Sequence, residues 1–288
     1  VILLPVTAPP TLLQRLRDSP ELISVELRPP RADLGRRESM DVWIDMYHSV
    51  QRVARQDRVV FLTDNAVGVA EEENLQHLTA NLGADVPPEQ LVPFLTCKHT
   101  LDYCLLYARR AADRGIQALT VLGGDPGVGP PRCVPLSRDL RALIRKEVPA
   151  LALGGWANPH RRAEEQSGFV AAPDFEADFY LTQVVSHHHL REVEAFVEAV
   201  DRRGVTLPGI FGVFYYRSAN PSTLARLGDF LPVPAEALTR EFGSGASAEE
   251  ICARTIRGLR EAGAGRIYLS NLGTRGVERR LERILAMV

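Results

Sequence analysis

The chain of 288 residues has only four cysteines, Cys97, Cys104, Cys133 and Cys252. They show neither paired zinc-type spacing nor the density of a disulfide scaffold, so a zinc ribbon and a cystine framework are both excluded. An excess of either charge is also missing. Lys and Arg number 34 against 36 Asp and Glu, a net charge of −2, which offers nucleic acid or an anionic membrane no electrostatic footprint. No apolar run approaches the ~20 residues of a membrane span. The apolar opening, Val1-Ile2-Leu3-Leu4-Pro5-Val6, is short and has no basic segment before it, so a cytoplasmic setting is expected. There is no Gly-x-Gly-x-x-Gly after the first strand-like run, and no Lys-Ser/Thr closing a phosphate loop. A dinucleotide-binding sheet of the usual kind and a P-loop are thereby disfavoured.

What the chain does have is alternation. Short runs rich in β-branched and apolar residues recur at 23–28, 58–63, 91–96, 118–122, 150–155, 179–185, 209–216 and 266–271. Helical patterns lie between them at 39–54, 101–113, 137–146 and 190–200, with a basic amphipathic tail at 277–287. Pro93 inside the third run calls for an early strand position or a bulge. Between the last two strands, 220–262 reads as an insertion with helical runs at 223–230 and 248–262. No low-complexity linker divides the chain. Eight strands alternating with helices over a length near the ~250 residues typical of the fold predict a (β/α)8 barrel, one α/β domain spanning 1–288.

Ala118-Leu119-Thr120-Val121-Leu122-Gly123-Gly124-Asp125-Pro126 shows the device most plainly: a fully buried strand that ends by delivering a carboxylate. Glu26, Thr63, Thr96, Asp125, Gln183, Tyr216 and Asn271 all fall at or near the C-terminal ends of successive strands. In a barrel, catalytic groups converge there. Glu26 admits two readings: an acid desolvated in the barrel mouth with a raised pKa, or a structural ion pair with a neighbour such as Arg28. The glycines of 123–129 would let backbone approach a flat ligand. His187-His188-His189 reads as a helix-entry loop whose consecutive side chains diverge, so no metal site is expected. Cys97 and Cys104 read as small core residues.

These stretches resemble the methylenetetrahydrofolate reductase family over nearly the whole chain. Ser24-Val25-Glu26-Leu27-Arg28-Pro29-Pro30-Arg31 is similar to that family's glutamate-bearing first strand. Phe94-Leu95-Thr96-Cys97 resembles its His-Leu-Thr-Cys strand, and Leu122-Gly123-Gly124-Asp125 its Leu-Arg-Gly-Asp turn. Asp178-Phe179-Tyr180-Leu181-Thr182-Gln183, Leu207-Pro208-Gly209-Ile210 and Ile267-Tyr268-Leu269-Ser270-Asn271 match its later strands in order. The resemblance implies a (β/α)8 barrel that reduces 5,10-methylene-tetrahydrofolate to the 5-methyl form with hydride from NAD(P)H. It gives Glu26 the role of acid and places Asp125 against pterin and cofactor. Gln183, Tyr216 and Asn271 would contact the folate, with Thr63, Leu122, Gly123, Gly124 and Asn158 on the cofactor side. The partners implied are small folate and nicotinamide ligands, with no nucleic acid and no membrane, and a homo-oligomer is compatible with all of this.

The departures gather on the flavin side. Phe94 stands where the family has a histidine, Gly123 where it has an arginine, and Asn158 where it has a second histidine. Ala171-Ala172 align with its basic residues for the flavin pyrophosphate, while Arg161 and Arg162 lie close enough in sequence to substitute. A diphosphate without cationic partners binds weakly. The expectation is therefore a reductase that does not hold FAD tightly and takes hydride directly from a nicotinamide. Backbone amides of Gly123, Gly124 and a Gly154–Gly155 turn are the route by which FAD could still bind. The alternative function is a non-reducing folate-binding barrel that acts in methyl transfer or as a subunit of a one-carbon complex.

Overall fold

The structure is a computed structural model that describes residues 10–31, 33–64, 86–125 and 129–288. Eight parallel strands close in sequence order into a barrel: β1 Ile23–Leu27, β2 Val60–Leu62, β3 Leu91–Thr96, β4 Ala118–Leu122, β5 Ala152–Ala157, β6 Phe179–Val185, β7 Gly209–Phe214 and β8 Ile267–Ser270. Around them lie α1 Leu12–Asp18, α2 Arg36–Arg55, α3 Leu101–Asp113, α4 Ser137–Glu147, α5 Ala163–Ala171, α6 Leu190–Arg202, α7 Pro221–Gly228, α8 Ala235–Gly243, α9 Ala248–Glu261 and α10 Val277–Leu285. β8 returns to β1 with Val25 opposite Leu269, which completes the (β/α)8 fold.

The period-two alternation of each strand splits the core in two. Ile23, Val25 and Leu27 of β1 face outward, into the cluster that holds Trp43, Met46 and Val50 of α2 and Leu281 and Ile284 of α10. Phe61, Phe94, Phe179, Leu181, Ile210 and Tyr268 fill the barrel itself. Leu12 and Leu16 join that inner cluster, and Arg266 Nε donates to Leu16 O at 2.6 Å, so α1 plugs the N-terminal end. The inner rings are large, and glycines make room for them. A Cβ on Gly154 would lie 2.6 Å from the Phe179 ring, and one on Gly212 would lie 2.5 Å from the Tyr268 hydroxyl.

Several strand limits differ from expectation. β5 begins at Ala152, so Gly154 and Gly155 sit inside the strand, opposite Phe179 and Tyr180. They form no turn, and the anticipated amide cradle there does not exist. Pro93 needs no bulge: β3 pairs with β2 through Leu91–Pro93 and with β4 through Phe94–Thr96, so the missing N–H falls at the changeover. The irregularity lies in β6, where the step from Leu181 to Val184 matches only Ile210 to Gly212 of β7. The 220–262 insertion holds three helices, since 235–243 is also helical. Leu224, Leu238 and Ile251, one from each, pack with Tyr216 into a small core of their own. No described helix is long and apolar enough to cross a membrane.

Candidate active site at the barrel mouth

Alternation that turns Val25 and Leu27 outward turns Glu26 inward, near the C-terminal end of β1, where it is half-buried above the aromatic interior. Extending the β1–β8 register by one residue sets Glu26 opposite Ser270. The Ser270 hydroxyl donates to Glu26 Oε1 at 2.7 Å. Gln183 lies at the β6 irregularity, and its Oε1 accepts from Val184 N at 2.9 Å. An extra residue in a strand re-aims side chains, and here it acts at a residue singled out from sequence. Tyr268 buttresses the same place by donating its hydroxyl to Thr182 O at 2.7 Å.

On the opposite side of the mouth a network forms that the sequence reading missed. Asp64, just past β2, accepts from Thr96 N at 2.7 Å and Thr96 Oγ1 at 3.0 Å, and His99 Nε2 lies 2.8 Å from it. Thr96 is thus fully buried and tied to Asp64. Thr63 is buried at the end of β2, its N–H donating to Leu27 O. Leu122 closes β4 within the inner cluster.

Beyond Leu122 the chain is wrapped by two cations. A Cβ on Gly123 would lie 2.8 Å from Arg132 Cζ, and one on Gly124 would lie 2.7 Å from Lys98 Cγ. Arg132 Nη2 donates to Gly124 O at 2.6 Å. Gly124 has φ +73°, in the left-handed region that glycine adopts without strain. Arg132, nine positions further along the chain, thus lays its guanidinium against Gly123, with no periodic pattern in the sequence to betray it. Burial pushes the Asp125 carboxyl above its usual range, while the charges of Lys98 and Arg132 pull the other way.

Three other expected residues are engaged elsewhere. Asn158 Oδ1 accepts from His160 N at 3.1 Å and its own N–H donates to Gln166 Oε1, so it shapes the β5 exit. Asn271, at φ +66°, donates Nδ2 to Tyr215 O at 2.9 Å. Tyr216 is 6% exposed, with its ring among the helices of the insertion. Phe214, two residues earlier on the inward-facing register of β7, packs against it with the ring planes tilted, 4.9 Å between centroids, and is the more exposed ring. Trp156 of β5 is a second half-buried aromatic at the mouth, packed on the inner cluster.

Ala171 and Ala172 end α5 and line a hollow with Arg203 and Leu207 at the entry to β7. That is the N-terminal end of the barrel, so these alanines say nothing about phosphate binding at the mouth. Arg161 and Arg162 stand at the mouth end of α5, and both are exposed. Phe94 is buried inside the barrel against Phe61.

No protein-family model matches the chain, and no curated protein matches it. Among solved structures it is similar to an uncharacterized protein from Clostridium thermocellum that binds two copies of 5-methyl-5,6,7,8-tetrahydrofolic acid. The identity is 18% and the TM-score 0.67, over 96% of this chain and 97% of that one. It is also similar to the multifunctional pyruvate carboxylase from Rhizobium etli, at 12% identity and a TM-score of 0.55, over 93% of this chain and 25% of that one. At these identities the likeness is one of fold.

Proposed function

We propose that the barrel mouth binds a tetrahydrofolate and reduces its 5,10-methylene bridge to the 5-methyl form with hydride from NAD(P)H, as the resemblance to methylenetetrahydrofolate reductases implies. The observation that carries this reading is Glu26: an inward, half-buried carboxylate at the mouth, held by Ser270 at 2.7 Å. Opening the bridge requires a proton on the departing nitrogen, and a positioned carboxyl supplies one. Gln183 and Asp125 would hold the pterin by its polar edge, with Phe214, backed by Tyr216, on its face. The Clostridium thermocellum protein, of the same fold, binds the 5-methyl form, which is the product of this reaction.

The residues around Gly123 and Gly124 fit the phosphates of a dinucleotide. The side chains of Lys98 and Arg132 lie against Gly124 and Gly123 and bring two positive charges to this side, with Thr63 and Leu122 beside them. NAD(P)H bound there supplies the hydride. FAD is not required by this reading: Phe94 and Asn158 replace the histidines of the family, and the same two cations serve a nicotinamide dinucleotide equally well. The second reading is a non-reducing folate barrel for methyl transfer, which the bound methyl form in the Clostridium thermocellum protein also suits. The visible spectrum of the purified protein, followed by NAD(P)H oxidation with methylene-tetrahydrofolate, separates them. Colourless protein that oxidises NAD(P)H supports the flavin-free reductase. Stoichiometric bound FAD removes the flavin-free part, and folate binding without any oxidation favours methyl transfer.

A further inference from the structure

We propose that His187, His188 and Glu241 form a divalent transition-metal site that fastens the β7–β8 insertion to the exit of β6. The two histidines open a 3-10 turn, His187–His189, directly after β6, and Glu241 belongs to α8 of the insertion. Neighbouring side chains on such a turn are expected to part, and His189 does: its Nδ1 lies 3.2 Å from Ser186 Oγ, and its ring meets His160. The other two converge. His187 Nε2 is 3.0 Å from Glu241 Oε1, and His188 Nε2 is 3.1 Å from Oε2. The three ligand atoms lie within 4.8 Å of one another. In a tetrahedral zinc site, bonds of about 2.0–2.1 Å bring ligand atoms to roughly 3.3 Å, a spacing that rotation of the exposed His188 can reach. Two imidazoles and a carboxylate are a known zinc donor set, with a fourth position left for water.

One of the two hydrogen-bonding arrangements open to His187 leaves room for a cation. Thr255 Oγ1 lies 2.9 Å from His187 Nδ1, 3.4 Å from His187 N and 3.1 Å from Ile251 O. If the hydroxyl donates to Ile251 O and accepts from both His187 N–H groups, its proton and both lone pairs are used. Neutral His187 is then the Nδ1–H tautomer, and its bare Nε2 lone pair faces a carboxylate oxygen. A metal ion is a partner that both atoms accept, with the remote ring nitrogen held by a hydrogen bond as histidine ligands commonly are. Arg254 occupies the same Glu241 oxygen and competes with a metal. The opposite proton arrangement, with Thr255 donating to Nδ1 and His187 Nε2–H donating to Glu241, closes the cluster without one.

None of these side chains belongs to the folate or dinucleotide machinery, so the site is tested apart from activity. Metal-free protein is titrated with Co2+ and followed by its visible ligand-field bands, with Zn2+ then added in competition. The expected result is one Co2+ per chain with bands of a four-coordinate nitrogen–oxygen site. His188→Ala and Glu241→Gln should weaken it at least tenfold, Arg254→Ala should tighten it several-fold, and Zn2+ should raise the Tm of the parent but not of His188→Ala. Absence of such bands, or Co2+ affinity unchanged in His188→Ala, would overturn the proposal and identify the cluster as a hydrogen-bonded clamp.

Discussion

Ser270 at the end of β8 donates to Glu26 of β1 across the seam where the barrel closes, at 2.7 Å. The two residues are 244 positions apart, so only closure of the sheet brings the hydroxyl to the carboxylate. It fixes one oxygen of the acid at the mouth. Glu26→Gln keeps the shape and still accepts from Ser270 but cannot release a proton. Turnover of methylene-tetrahydrofolate should fall by about 10²–10⁴-fold, with 5-methyl-tetrahydrofolate affinity changed only slightly in an equilibrium titration.

Gln183→Ala removes a polar partner from the pterin slot and a local support for the β6 irregularity. One lost hydrogen bond of about 1–1.5 kcal/mol corresponds to roughly tenfold weaker folate binding. Calorimetric titration with 5-methyl-tetrahydrofolate measures it, and unchanged affinity would remove Gln183 from the site.

Arg132→Ala takes away the guanidinium that lies over Gly123. A charge-assisted contact of about 1.5–3 kcal/mol predicts a KM for NAD(P)H raised roughly 10–100-fold. Loss of this cation also leaves burial less opposed at Asp125, so any limb of the pH profile that belongs to Asp125 should move to higher pH.

Arg141 is 2% exposed, and its guanidinium donates to Phe175 O, Val121 O and Ser137 Oγ. It ties the end of β4 to the approach to β6 and lies 4.9 Å from the Phe175 ring centroid. Arg141→Met would orphan buried carbonyls at about 1–3 kcal/mol each. A fall of several degrees in Tm is expected, with little change in the KM for either substrate.

His189 is held neutral in the fold. Burial and the facing His160 push its pKa from 6.5 down to about 4. As pH falls, the unfolded chain takes up the proton first, so this contribution is whole above about pH 6.5 and is lost between 6.5 and 4. Tm should decline through that window, and His189→Gln should flatten the decline.

The barrel was legible because its signals are local. Each strand is a short apolar run, and α10 shows its buried face directly in Val277, Leu281 and Ile284. Glu26 and Gln183 were legible because alternation and strand-end position both point to the mouth. What stayed hidden depends on loops and register. Arg132 reaches Gly123 from nine positions along the chain, and Ser270 meets Glu26 only after closure. Asp64 and His99 pair from two different strand exits. Ala171 and Ala172 are set on the flavin side only by alignment with the resembled family, and they fall at the end of α5 that points away from the mouth. Tyr216 takes its platform role from the resemblance and from a strand expected over 209–216, whereas the strand stops at Phe214.

The central claim is that this mouth carries out hydride reduction of a methylene-tetrahydrofolate. It is tested most directly by mixing stoichiometric protein anaerobically with NAD(P)H and 5,10-methylene-tetrahydrofolate, without added FAD, and following NAD(P)H absorbance and the folate product together. The account predicts one NAD(P)H consumed for each 5-methyl-tetrahydrofolate formed, slowed at least a hundredfold in Glu26→Gln. Tight folate binding with no NAD(P)H consumed, whether or not FAD is then supplied, would contradict it.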